Sequence, residues 1–98
     1  MVIVLGSIVA RPDTFAEALR LSQAHVARSR GEPGCLSHAV HRDTERAFRL
    51  VFVETWADAA ALAAHFRGPA SRAFVEALRA LASEPPAIAV YEASPLPM

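Results

Sequence analysis

The segment VIVLGSIVA, Val2–Ala10, decides how this chain folds. It is a short apolar run rich in β-branched residues and it ends at Arg11-Pro12, a pattern typical of a β-strand. In an antiparallel sheet with one solvent-exposed face, apolar and polar residues alternate along each strand. This segment is apolar at both alternating sets of positions, so we expect a strand that is covered on both faces.

The rest of the chain supplies the other elements of an α+β fold. Thr14 and Glu17 fit a capping box, which predicts a helix that starts there and ends near Gly31. The later elements are predicted, in chain order, as strands Cys35–Arg42 and Ala47–Trp56, helices Asp58–Arg67 and Ala70–Ala82, and strand Ala87–Ala93. This order is the ferredoxin-like, split βαβ pattern β-α-β-β-α-α-β, an antiparallel sheet with helices on one face. A second copy of the same sheet is the simplest cover for the other face.

Composition excludes several classes of function. The 98 residues are enough for one domain, and ten arginines balance ten acids at a net charge of zero. Nucleic-acid and anionic-membrane partners are therefore not expected, because such binders carry a basic excess. The single Cys35 excludes an internal disulfide and a thiolate zinc cluster. With no apolar run near about 20 residues and no signal peptide, a cytoplasmic protein is expected.

Three motifs resemble the antibiotic biosynthesis monooxygenase family. Glu32-Pro33-Gly34-Cys35-Leu36 enters the second predicted strand, Val53-Glu54-Thr55-Trp56-Ala57-Asp58 closes the third, and Ala61-Leu62-Ala63-Ala64-His65-Phe66 follows on a helix. With the strand order, the resemblance covers nearly all of residues 1–98. It implies one dimeric α+β barrel domain, hence a homodimer. It also implies a cofactor-independent monooxygenase that oxidises a phenolic, quinol or polyketide-type aromatic substrate with O2.

The family also contains haem-degrading enzymes, and the resemblance can be tested residue by residue. The positions that carry haem chemistry in those relatives correspond here to Ser7, His65 and Val75. Valine has no atom that can ligate iron, so haem binding is not expected and no cofactor is predicted.

His65 is the candidate catalytic base. It lies three residues after Leu62 and beside Phe66, at the edge of the apolar stripe, facing the space between helix and sheet. Imidazole has a reference pKa near ~6.5 and can take a proton from a phenol at neutral pH. The alternative is a histidine that packs at the helix edge or bonds local carbonyls.

The remaining candidate site residues lie on the third strand and the helices. The indole N–H of Trp56 can orient a substrate oxygen, or Trp56 can be a core residue at the strand-to-helix junction. Glu54 shares its strand face with Trp56, so it is either paired with an arginine, within the chain or across a dimer, or a base with a raised pKa. Phe52, Phe66 and Phe74 are the aromatic residues expected to line a dry substrate pocket.

The histidine spacing predicts no metal site. His38 and His41 are three apart on a strand and point to opposite faces, and no H-x-H or helical i, i+4 pair occurs. Strand alternation also gives no reason for His38 to act with His65. Three functions remain open: the oxygenase, an isomerase that moves protons on a small polar metabolite through His65, and a non-catalytic dimeric ligand-binding module.

Overall fold

A computed structural model describes residues 1–98 as a four-stranded antiparallel sheet with three helices on one face. The elements are β1 (Val2–Val9), α1 (Phe15–Ser29), β2 (Cys35–Arg42), β3 (Arg49–Trp56), α2 (Ala59–Arg67), α3 (Pro69–Leu81) and β4 (Ala87–Glu92). The strand order is β2-β3-β1-β4. The predicted ferredoxin-like α+β fold is confirmed, and the predicted element ends differ from these bounds by one or two residues.

The core lies between the sheet and the helices. β1 is central and pairs antiparallel with both β3 and β4, so that Val4 lies opposite Glu54 on one side and Val90 on the other. Alternate residues of β1 and β3 therefore point at the helices. The buried apolar side chains of these two strands are Val2, Val4, Ile8, Leu50, Phe52 and Trp56.

The helix starts differ in how well the sequence predicted them. The Asp58 carboxylate caps α2 as expected, accepting a hydrogen bond from the Ala61 N–H at 2.8 Å. The predicted capping box at the start of α1 is not formed, so that prediction is wrong. Thr14 Oγ1 instead donates to the Leu81 carbonyl at 2.7 Å, and Glu17 pairs with Arg20. Thr14 thus ties the start of α1 to the end of α3, which a local motif cannot predict.

No helix covers the opposite face of the sheet, which we call the outer face. Its apolar side chains on β1 and β3 are Ile3, Leu5, Val9, Val51 and Val53. Leu5 and Val53 are register partners and are 44% and 37% exposed. The apolar character of β1 on both faces is therefore real, and the single chain covers only one of them. No helix has the length and apolar character needed to cross a membrane.

Candidate functional site

A cavity of about 200 Å³ lies between the sheet and the helices, with the exposed Ile88 of β4 at its edge. We call it the central pocket. Five of the six side chains that the sequence singled out contribute to its wall, namely Phe52, Glu54, His65, Phe66 and Phe74. The aromatic wall that was expected from sequence is therefore present in the fold.

His65 stands in this wall with a carboxylate behind it. Its Nδ1 is 2.7 Å from Glu32 Oε2 and 3.3 Å from Ser71 Oγ, and the residue is only 3% exposed. Because the carboxylate can only accept a hydrogen bond, Nδ1 carries the proton and the lone pair of a neutral ring is on Nε2. Glu32 lies in the turn after α1, and sequence reasoning missed it because it is 33 residues from His65.

Two further histidines join His65 in what we call the histidine cluster. His25 comes from α1 and His38 from β2, and the three ring centroids are 5.2–5.7 Å apart. All three residues are buried. Histidine spacing did not predict this cluster, and the expected separation of His38 from His65 is wrong. His41 is exposed on the other face of β2, as strand alternation predicts.

His25 is held neutral by its surroundings. Burial is the main cause, and the neighbouring His38, His65 and Arg28 add to it, so that the pKa of His25 falls to about 3 against the opposing effect of Glu54. The ring stacks on Phe74 with centroids 3.9 Å apart and an interplanar angle of 6°. The neutral ring therefore behaves as part of the aromatic wall.

Glu54 is buried without an arginine partner. Burial alone raises the pKa of this carboxyl, but the contacts with His38 and the indole N–H of Trp56 outweigh it and hold the pKa below its ordinary value. Its Oε1 accepts the Trp56 Nε1–H bond at 3.0 Å and lies 3.2 Å from His38 Nε2. The interpretation of Glu54 as a base with a raised pKa is wrong, and within the chain its carboxylate contacts His38 and Trp56 and no arginine.

Trp56 is fully buried and does not contribute to the wall of the central pocket. Its indole N–H is occupied by Glu54, and its ring packs with Val2, Val4 and Leu62 at the strand-to-helix junction. The expectation that Trp56 orients a substrate oxygen is therefore wrong. It positions Glu54 and anchors the core.

The three positions compared with haem-degrading relatives also converge on the pocket. Ser7, His65 and Val75 all lie in its wall. Val75 presents only methyl groups there, so the position offers no ligand for iron.

The fold and the pocket first define the class: a ferredoxin-like α+β protein with a buried polar cluster beneath its helices. The sequence model for antibiotic biosynthesis monooxygenase matches residues 1–77. The chain belongs to the antibiotic biosynthesis monooxygenase family.

Individual relatives agree with this assignment. An uncharacterised protein of Synechocystis is 36% identical over 91 residues, which are 93% of this chain; the chain spans 62% of the length of that relative. A solved structure of an antibiotic biosynthesis monooxygenase is 26% identical, covers 97% of this chain and 100% of its own, and has a TM-score of 0.89. A structure from Deinococcus radiodurans, also 26% identical, covers 100% of this chain and 97% of its own at a TM-score of 0.95.

Proposed function

We propose that this chain is an oxygenase of a small hydroxylated aromatic compound, with His65 as the base that takes the phenolic proton. The observation that carries the proposal is the contact of 2.7 Å between His65 Nδ1 and Glu32 Oε2 at the wall of an aromatic pocket. A carboxylate in this position orients the ring and stabilises the imidazolium that forms when Nε2 accepts a proton.

The same pair provides a route for the proton. His65 is buried, whereas the Glu32 side chain is 32% exposed and lies in a surface groove on the far side of the ring. A proton taken from a substrate on the pocket side can therefore pass through His65 towards water at Glu32.

Deprotonation makes the substrate its own reductant. An electron-rich phenolate or carbanion transfers electrons to O2 directly. For an anthrone-type CH2 group, one oxygen atom becomes the carbonyl of the product, and the other leaves as water with the two hydrogens of the CH2 group. The aromatic side chains of Phe52, Phe66 and Phe74 make the surroundings of the charged intermediate less polar.

The pocket is large enough for at least one aromatic ring. An apolar cavity of about 150 Å³ accommodates benzene, and the central pocket has about 200 Å³. The aromatic walls also favour this class over the small polar metabolite of the isomerase alternative, since Arg79 is the only arginine in the lining.

Oxygen uptake tests the proposal. A panel of substituted hydroquinones, naphthols and anthrones is assayed with wild type, His65→Ala and His41→Ala in an oxygen electrode. His65→Ala should lower turnover by roughly 10²–10⁴, the usual contribution of a positioned base. His41→Ala is the matched control, because the side chain of His41 is exposed on the edge strand β2 and points away from the central pocket. Equal turnover in all three correctly folded proteins would show that His65 is not the catalytic base, and would favour the ligand-binding module.

We also propose that the outer face packs against a second copy of the chain. Its exposed apolar residues on the two central strands, led by Leu5 and Val53, form a continuous surface. A stable interface of this kind buries about 800 Å² per partner. Sedimentation should give a dimer for wild type and for Ala73→Glu, which places a charge on the helical side, and a monomer for Leu5→Glu. A monomeric wild type at micromolar concentration contradicts the proposal.

A further inference from the structure

The histidine cluster has a second use that the oxygenase does not require. Its rings come from three separate elements, α1, β2 and α2, and one nitrogen of each lies within 4.8 Å of the others. His25, His38 and His65 are 5%, 2% and 3% exposed, so the group is sealed from bulk solvent on most sides. Three imidazole nitrogens this close together are a donor set that first-row transition ions prefer.

His38 lacks the hydrogen bonds that a buried polar side chain normally makes. Both of its ring nitrogens are buried without a directed hydrogen bond in the protein. Glu54 Oε1 lies 3.2 Å from Nε2 without forming a hydrogen bond to it. A buried polar group without a partner costs about 1–3 kcal/mol, and native proteins retain few of them.

Two of the three histidines also have a carboxylate beside the ring, as metal-binding histidines commonly do. Glu32 faces Nδ1 of His65 and Glu54 faces Nε2 of His38, which leaves the other nitrogen of each ring for a ligand bond. The carboxylate hydrogen-bonded to His65 fixes the orientation of that ring and increases the basicity of its ligand nitrogen. The two carboxylates together also balance the charge of a divalent ion.

His25 requires one adjustment. Arg28 donates to its Nδ1 at 2.9 Å, which places the ring proton on Nε2. Arg28 is exposed, so its side chain can turn into solvent and allow the proton to move to Nδ1. Nε2 is then free for a ligand bond.

We propose that His25, His38 and His65 form a binding site for a divalent first-row transition ion such as zinc. The fourth coordination position of the ion faces the central pocket. Imidazole nitrogen selects this class of ion over magnesium or calcium, which prefer oxygen ligands. A tetrahedral zinc with Zn–N distances near 2.0–2.1 Å needs nitrogens about 3.3 Å apart, and one nitrogen of each ring already lies within 4.8 Å of the others. The bound ion occupies the Nε2 lone pair of His65, so metal binding and the proposed base chemistry exclude one another.

Cobalt is the direct probe of this site. The full-length, tag-free protein is stripped with a chelator and titrated with Co²⁺, followed by visible absorption. We expect the intense bands of a four-coordinate ion, saturating at one equivalent per chain and displaced by Zn²⁺. Weak absorption bands typical of six-coordinate cobalt, or bands that do not saturate with added Co²⁺, would refute the proposal on the wild-type protein alone.

Zinc calorimetry assigns the ligands. His38→Gln and His25→Gln should each weaken zinc binding by at least about 100-fold, beyond the 10–100-fold typical of outer partners. His41→Gln is the matched control and should bind as wild type does. Added zinc should raise the melting temperature of wild type and His41→Gln only. If His38→Gln is folded and binds zinc as tightly as wild type, the cluster is not the site. None of these measurements depends on oxygenase activity, so either proposal can fail alone.

Discussion

Replacing Gly34 with alanine perturbs the turn that presents Glu32 to His65. Gly34 has a φ of 81°, the only positive φ in the chain, and its carbonyl accepts a hydrogen bond from the Ala57 N–H at 2.8 Å. An alanine held in this left-handed conformation costs about 1–2 kcal/mol. Its Cβ would also overlap the Ala61 methyl group on α2, well inside van der Waals contact.

The magnitude follows from these two effects. Overpacking of this kind adds about 1–3 kcal/mol, while the reduced freedom of the unfolded chain offsets about 0.4–1 kcal/mol. We therefore expect Gly34→Ala to lower the free energy of unfolding by about 1–5 kcal/mol.

Urea unfolding followed by circular dichroism measures this change. Gly31→Ala is the control, because its Cβ would meet only the Arg28 carbonyl at 3.6 Å, an ordinary contact. Its stability should remain within about 0.5 kcal/mol of wild type. The double variant Gly34→Ala/Ala61→Gly should regain the stability lost to the overlap, because the Ala61 methyl group is absent. A glycine within α2 costs about 1 kcal/mol of that gain. If Gly34→Ala unfolds at the same urea concentration as Gly31→Ala, the turn is not built this way and the placement of Glu32 loses its support.

Three further outcomes follow from the site. Because the pKa of His25 is about 3 when folded and near 6.5 when unfolded, the folded state binds fewer protons between these values. Stability should therefore fall as the pH drops below about 6.5, by at most about 1.4 kcal/mol per pH unit, and urea midpoints of chelator-treated His25→Phe should show a flatter profile. Trp56→Phe should destabilise the protein by about 1–3 kcal/mol in the same assay, since the buried Glu54 loses a donor; unchanged stability contradicts that role. Because Val75 offers no iron ligand, hemin titration should give no saturating Soret shift at one equivalent per chain, and a tight stoichiometric complex refutes the comparison with haem-degrading relatives.

Local patterns were enough to predict the order of the elements. The β-branched run of β1, the Asp58 cap and the Gly68-Pro69 break each act within a few residues, so their effects can be read along the chain. The aromatic pocket followed from the same patterns, because strand and helix periodicity determines which side chains face the core. Phe52, Phe66 and Phe74 lie in the pocket wall for that reason.

The chemistry of the site depends on contacts between distant segments. Glu32 reaches His65 across 33 residues, and Thr14 reaches Leu81 across 67. His25, His38 and His65 converge only because α1 and α2 pack on the same face of the sheet as the inward side of β2. No spacing rule detects such a cluster, since its members are neighbours in space and not in sequence.

The sequence by itself therefore determined the layers, the order of the elements along the chain and the apolar wall, because hydrophobic periodicity is a local property of the chain. Only the tertiary structure decided the partners of Glu54, the burial of Trp56 and the meeting of three histidines. The physical reason is that a hydrogen bond or ion pair requires atoms within about 3 Å, and that distance is established by packing across the whole fold.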